Sequence, residues 1–383
     1  MRFLFKTNYD QDIRLFQHSG QVWTYLALLG ALIAAPLVLS SYLQSQLVFV
    51  FIYALVGVSL MILVGYTGQA SLGHAAFLAI GAYTAGFLQS LGIGFEAYFP
   101  IAGLLTGLVG VFVGFPALRL HGIYLLIATI SFSFIVEEIL ARWERVTNGN
   151  EGMKVKPMQL GGVEVSRNSD TFYYLCLAVL VVAIILTLNL MRSATGRAFI
   201  AVRDSETAAR SMGVDVAATK VRAFGLSAAL TGFAGVLYAH KLSFISPEMF
   251  TLSLSIEFIM VIIIGGALGL HGAILGSMFI VMIDPLLTWL KDDVPGFVSL
   301  LAGLFGAGGE RVGKIEAATA ALTSTAGLKG LIYGLIIMLF ILFEPYGIHG
   351  RWLKIKLFFQ MFPLYKKATF KRQKVYVKTE RNR

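Results

Sequence analysis

The chain has 383 residues, 57% of them hydrophobic and only 14% charged, with a mean hydropathy of +0.76 and a formal net charge of +10. A soluble globular domain carries about a quarter charged residues, so this composition excludes one and indicates an integral membrane protein. The unbroken apolar blocks run to about 20 residues, which fits membrane-crossing helices rather than the roughly 10-residue alternating strands of a barrel.

The expected fold is all-α and polytopic. In lipid the alternative that satisfies the backbone is a closed barrel. The first 22 residues are polar and mixed in charge, without the apolar core or cleavage pattern of a secretory signal, and read as a cytoplasmic segment. Ten spans follow at roughly 23–43, 46–64, 68–90, 97–118, 121–141, 172–191, 219–241, 252–269, 271–290 and 327–344. An even number of spans puts both termini on one side. Residues 345–383 form a tail in which Arg351 to Arg383 contribute eleven Lys or Arg against the single acid Glu380. Such a tail belongs on the cytoplasmic face, beside anionic headgroups. Binding to nucleic acid is a poor reading of it in a polytopic chain.

The third span is unusual. Residues 65–86 read GYTGQASLGHAAFLAIGAYTAG, placing Gly68, Gln69, Ser71 and His74 in an apolar setting. Small residues let helices approach closely, and that reading suits the glycines. Polar side chains at membrane depth face a bundle interior or a wet cavity, so Gln69, Ser71 and His74 are candidates for a solute path. A helix broken here exposes backbone groups to a polar solute. The fourth span carries Gly103, Gly107, Gly110 and Gly114, a spacing that makes a helix-packing face.

Between spans six and seven lies the longest polar segment flanked by apolar ones, residues 192–218. Arg192, Arg197, Arg203, Arg210, Lys220 and Arg222 sit in or beside it, which makes it cytoplasmic. A short helix is expected in its middle. Asp204 or Ser205 is suited to cap the first turn, Glu206 suits the positive end of the helix dipole, and Gly213 suits the turn out. Ala208, Ala209 and Met212 then share a smooth face fit for a groove on another protein, although a solvated connector has the same spacing. In the eighth span Glu257 stands alone in an apolar run and needs a partner or a polar cavity. SLGHAAF at 71–77 faintly echoes LGLHGAILG at 268–276, which hints at an internal repeat.

Two loops are expected outside, 142–170 with five basic and four acidic residues, and a long one at 291–326. The single cysteine, Cys176, allows no internal disulfide. The chain contains no GxSxG, HExxH or CxxC. GGERVGKI at 308–315 has Ile where a phosphate loop needs a magnesium-holding hydroxyl. The chain is therefore not expected to be an enzyme or to hold a cofactor or metal.

Three segments in fixed order, GYTGQASLGHAAFLAIGAY, GRAFIAVRDSETAARSMGV and SIEFIMVIIIGGALGLHGAILGS, resemble the LivM-like permeases of branched-chain amino-acid ABC importers. The resemblance runs from about residue 47 to residue 285. It implies a bacterial inner-membrane subunit that pairs with a second homologous permease, two ATP-binding subunits and a periplasmic solute-binding protein, with ATP held by the partners. It makes 203–213 the coupling helix. Arg203, Asp204, Glu206, Ala208, Ala209, Arg210 and Gly213 are then the residues expected to meet the ATPase. Importer permeases carry EAA-x-x-x-G there, but this chain has Thr207 in place of the Glu. Gly68, Gln69, Ser71, His74 and Glu257 are the expected path residues, and the alternative function is an ion-coupled secondary transporter.

Overall fold

The computed structural model describes residues 19–283 except 121 and 268, residue 285, and 334–361 except 336, 337, 341 and 345. The long loop at 291–326 and most of the predicted span 327–344 lie outside the described residues. Helix α1 spans Ser19–Val38, and α2 spans Ser41–Leu60 and runs on as a π-helical turn over Met61–Tyr66. Next come α3 (His74–Ser90), α4 (Phe95–Ala117), α5 (Ile123–Arg142) and α6 (Asp170–Arg192). The polar segment holds two helices, α7 (Ala194–Asp204) and α8 (Glu206–Ser211). Helices α9 (Val216–Leu242), α10 (Leu252–Gly265), α11 (Leu270–Ile283) and α12 (Gly347–Met361) complete the described chain. Among the described residues six helices are long and apolar enough to cross a membrane. The protein is a multi-pass membrane protein.

The core is built on α2 and α9. Helix α2 is apolar on all sides, as a helix surrounded by others must be, and Ile52, Ala54, Val56, Val58 and Leu60 are fully buried. Helix α9 packs across α4 through the predicted glycine face. A Cβ on Gly107 would lie 3.1 Å from the Ala229 Cβ, and one on Gly114 would lie 3.2 Å from the Val221 Cα. On its other side α9 crosses α3, where Gly81 meets the backbone of Gly232 and Gly235 meets that of Leu78. Helices α1, α4, α5 and α6 turn large apolar side chains outward, such as Leu37, Leu108, Phe112, Ile123 and Leu186. That is the distribution a lipid-facing rim requires.

Two spans differ from expectation. The third does not start at 68: residues 67–73 are irregular and α3 begins at His74. Gly68 has φ +69°, a backbone conformation that stops a helix, so the glycines do two jobs here. Gly68 breaks the helix, while Gly81 packs it. The eighth span likewise ends early, at Gly265, because Gly266 has φ +101°.

The loop at 142–170, expected outside, takes part in two β-ribbons that were not foreseen, one of them with residues 244–245. Strand β1 (Met153–Lys154) pairs antiparallel with β4 (Phe244–Ile245), and β2 (Met158–Leu160) pairs with β3 (Val163–Val165). Gly161 and Gly162 join the second pair with φ +58° and +86°. A two-residue loop with both φ positive matches the twist of a hairpin.

Candidate functional site

Irregular backbone at membrane depth is tolerated only where protein or water satisfies it. Residues 67–73 meet that demand with hydroxyls of their own and from α5 and α10. Thr67 donates to the carbonyls of Leu63 (2.6 Å) and Ile62 (3.2 Å), and the Gln69 N–H also reaches Leu63 O (2.9 Å). From α5, Thr129 accepts the Leu72 N–H (3.0 Å) and Ser133 donates to Leu72 O (3.2 Å). Within the segment, Ser71 accepts the Gly73 N–H, and Ser255 on α10 accepts the Ala75 N–H at 3.1 Å.

His74 opens α3 and is 1% exposed. Its Nε2 lies 2.9 Å from Ser227 Oγ on α9, and that hydroxyl donates to Ser59 O on α2 at 2.8 Å. The serine's one proton is thereby used. Nε2 therefore carries the imidazole proton and donates it, and Nδ1 is a buried acceptor with no hydrogen-bond partner. The Gln69 Oε1 is a second such acceptor. Gln69, Ser71 and His74 thus cluster inside the subunit. Glu257 stands apart from them, half-buried on α10, where it accepts the Tyr53 hydroxyl at 3.0 Å.

The polar segment is tightly organised. Ser193 caps α7 and Ser205 caps α8, the latter accepting the Ala208 N–H at 3.3 Å. Ser205, not Asp204, is the cap. Gly213 has φ +81° and lets the Val214 N–H return to Ala209 O (3.0 Å), closing the helix C-terminus. The expected short helix, capped at Ser205 and left at Gly213, is α8, while Arg203 and Asp204, counted into the coupling helix at 203–213, end α7 instead. The shared face is also redrawn. Ala209 is 3% exposed and packs with Val202 and Val216, whereas Ala208, Arg210 and Met212 point outward, Met212 at 84% exposure. Met212 follows the last residue of α8, so its i, i+3 spacing from Ala209 does not carry it to the buried side, and Ala209 faces its own chain.

Two charges hold the segment to the spans. Lys220, 4% exposed on α9, pairs with Glu206 at 2.6 Å. Arg203 pairs with Asp204 at 2.9 Å and donates from Nη1 to Gly65 O at 3.1 Å. Of the predicted coupling residues, Ala208, Arg210 and Gly213 are on the outward surface with Asp204, while Glu206 and Ala209 are turned inward. Reading the sequence alone missed the hydroxyls of Thr129, Ser133, Ser227 and Ser255. Each is a small polar residue in an apolar span, the one signal available for them.

Residues 42–341 match the model of the family described as the branched-chain amino acid transport system / permease component. The chain belongs to that family. The branched-chain permease family places the chain beside LivM of Escherichia coli strain K12, the high-affinity branched-chain amino acid transport system permease protein. Identity is 35% over 281 residues, covering 67% of this chain and 66% of LivM. LivM of Salmonella typhimurium is 34% identical over the same 281 residues. The autoinducer 2 import system permease protein LsrC of Salmonella paratyphi A is 25% identical over 311 residues, covering 75% of this chain and 86% of LsrC. The chain thus spans just under two thirds of the length of the LivM relatives. No solved structure matches it.

Proposed function

We propose that this chain is the membrane-crossing subunit of an ATP-driven importer of the bacterial inner membrane, passing a small polar solute inward, with branched-chain amino acids as the first solutes to test. The observation that carries this reading is α8. Its inner side is fastened by Ala209 and the Glu206–Lys220 pair, while Ala208, Arg210 and Met212 project from a cytoplasmic loop. An apolar tip with a cationic flank, held on a rigid base, suits insertion into a groove of another protein. ATP is bound and hydrolysed by two partner ATPase subunits. A second homologous permease completes the channel, and a periplasmic binding protein delivers the solute. Gly68, Gln69, Ser71 and His74 serve the path, with Glu257 a more distant member of it: a break in a span next to buried, unused acceptors is where a polar solute finds partners.

Mild-detergent purification of the tagged chain from its native membrane, followed by mass spectrometry, tests the assembly. An ATPase with a phosphate loop and a second glycine-rich permease are expected to co-purify. Recovery of the chain alone, or as a homo-oligomer, overturns the reading in favour of ion-coupled transport.

A further inference from the structure

The last carbonyls of a helix lack partners within it. At the π-helical end of α2 three of them are met in two ways. Ile62 O and Leu63 O are met locally by Thr67 and Gln69. Gly65 O is met by the guanidinium of Arg203, 138 residues away at the foot of the cytoplasmic segment. A cation suits a helix C-terminus, where the dipole is negative. The contact is also close-fitting: a Cβ on Gly68 would lie 3.1 Å from the Arg203 Cγ, so the break is moulded around the arginine stem. The same guanidinium is held from the other side by Asp204, the last residue of α7.

We infer that Arg203 is a positioning residue, a strut that ties the cytoplasmic coupling segment to the broken span, so that displacement of α7 and α8 is passed to residues 65–74. The inference rests on the importer reading. The connection has one end on the outward-facing segment and the other on backbone that leads, within nine residues, to the His74–Ser227–Ser59 chain. π-Helical turns are higher-energy geometry than the α-helix and recur at functional sites, so this end of α2 is the natural place for a span to give. The remaining tether, Glu206–Lys220, joins α8 to α9 instead. The two links therefore reach different helices, and among the described polar links Arg203 is the one that reaches the break, beside the apolar packing of Phe199 with Ile62 and Leu63.

The test uses the whole complex purified with its partner subunits. Ala70, half-buried in the break, is replaced by Cys, and Cys176 is 1% exposed and stays unreactive. Maleimide labelling of the new thiol is followed with and without ATP and vanadate. In the otherwise unaltered complex the labelling rate is expected to change several-fold on trapping. Arg203→Met is expected to abolish that change, read on the complex that retains its ATPase subunits. Arg203→Lys, which keeps one donor able to reach Gly65 O, is expected to restore part of it. An undiminished change in Arg203→Met, with assembly intact, overturns the strut and leaves the importer reading standing. Absence of the ATPase subunits, or of any ATP-dependent change before Arg203 is touched, overturns both.

Discussion

Ser227 shows what a single hydroxyl does in this protein. It accepts from His74 and donates to Ser59 O, so three helices meet on one oxygen. Replacing it with Ala leaves a buried N–H without an acceptor, at a cost of about 1–3 kcal/mol. Ser227→Ala is accordingly expected to lower the thermal midpoint of the detergent-solubilised protein, and an unchanged midpoint would show that His74 has found another acceptor. Gly213 acts through backbone conformation alone. Nothing lies within 4 Å of where its Cβ would be, yet its φ is +81°. Gly213→Val is expected to strain the loop by about 1–2 kcal/mol, leaving assembly with the ATPase intact while solute-stimulated ATP hydrolysis falls. Normal stimulation would remove Gly213 from the coupling segment's working parts. At this scale the sequence was half legible. Gln69, Ser71 and His74 stand out because polar residues are rare in spans, whereas Ser227 and Ser255 look like ordinary small packing residues until their partners, 153 and 180 residues away, are known.

Among the elements, the break between α2 and α3 was legible as a region but not in detail. A cluster of glycines announces either a break or a close crossing. Which glycine does which depends on its neighbours: Gly68 faces Arg203 and Gly81 faces Gly232. The π-helical turn Met61–Tyr66 has no signature, since MILVGY is as apolar as the helix before it. The hairpin β2–β3, by contrast, was readable from its Gly-Gly flanked by alternating residues. The division of the coupling segment into α7 and α8 follows from Ser205, which caps one helix as the other ends. The Glu206–Lys220 pair pins α8 to α9, and it can be isolated by a double-mutant cycle of Glu206→Gln and Lys220→Met. Partners in direct contact show coupling of about 0.5–3 kcal/mol, and with Lys220 nearly enclosed the value is expected in the upper half of that range. A coupling near zero in the folded, solubilised protein would mean that Ala209 alone seats the helix.

For the molecule as a whole, composition settled the class before any element was placed: 14% charge is too little for a soluble surface. The family was legible as well, through three motifs in order, and the match over 42–341 agrees with it. Sidedness rests on charge, by which the segment around α7 and α8 is expected to face the cytoplasm and the ribbons to face out. Val163, 67% exposed on β3, and Met212, 84% exposed, give the check, because Cys176 is buried and contributes no background. An impermeant maleimide is expected to label Val163→Cys in intact cells and Met212→Cys only after permeabilisation. The reverse pattern would invert the topology.

The glycine seam between α4 and α9 has one more consequence. Gly107, Gly110 and Gly114 let the two backbones touch, so the pair is held by dispersion and close contact rather than by the release of water. The large heat-capacity change of unfolding a soluble core comes from wetting its apolar surface. Parting these helices inside the bilayer gives their surfaces to acyl chains instead, with almost no such change. The seam's strength then varies almost linearly with temperature, and the downturn that weakens a soluble core in the cold is absent from it.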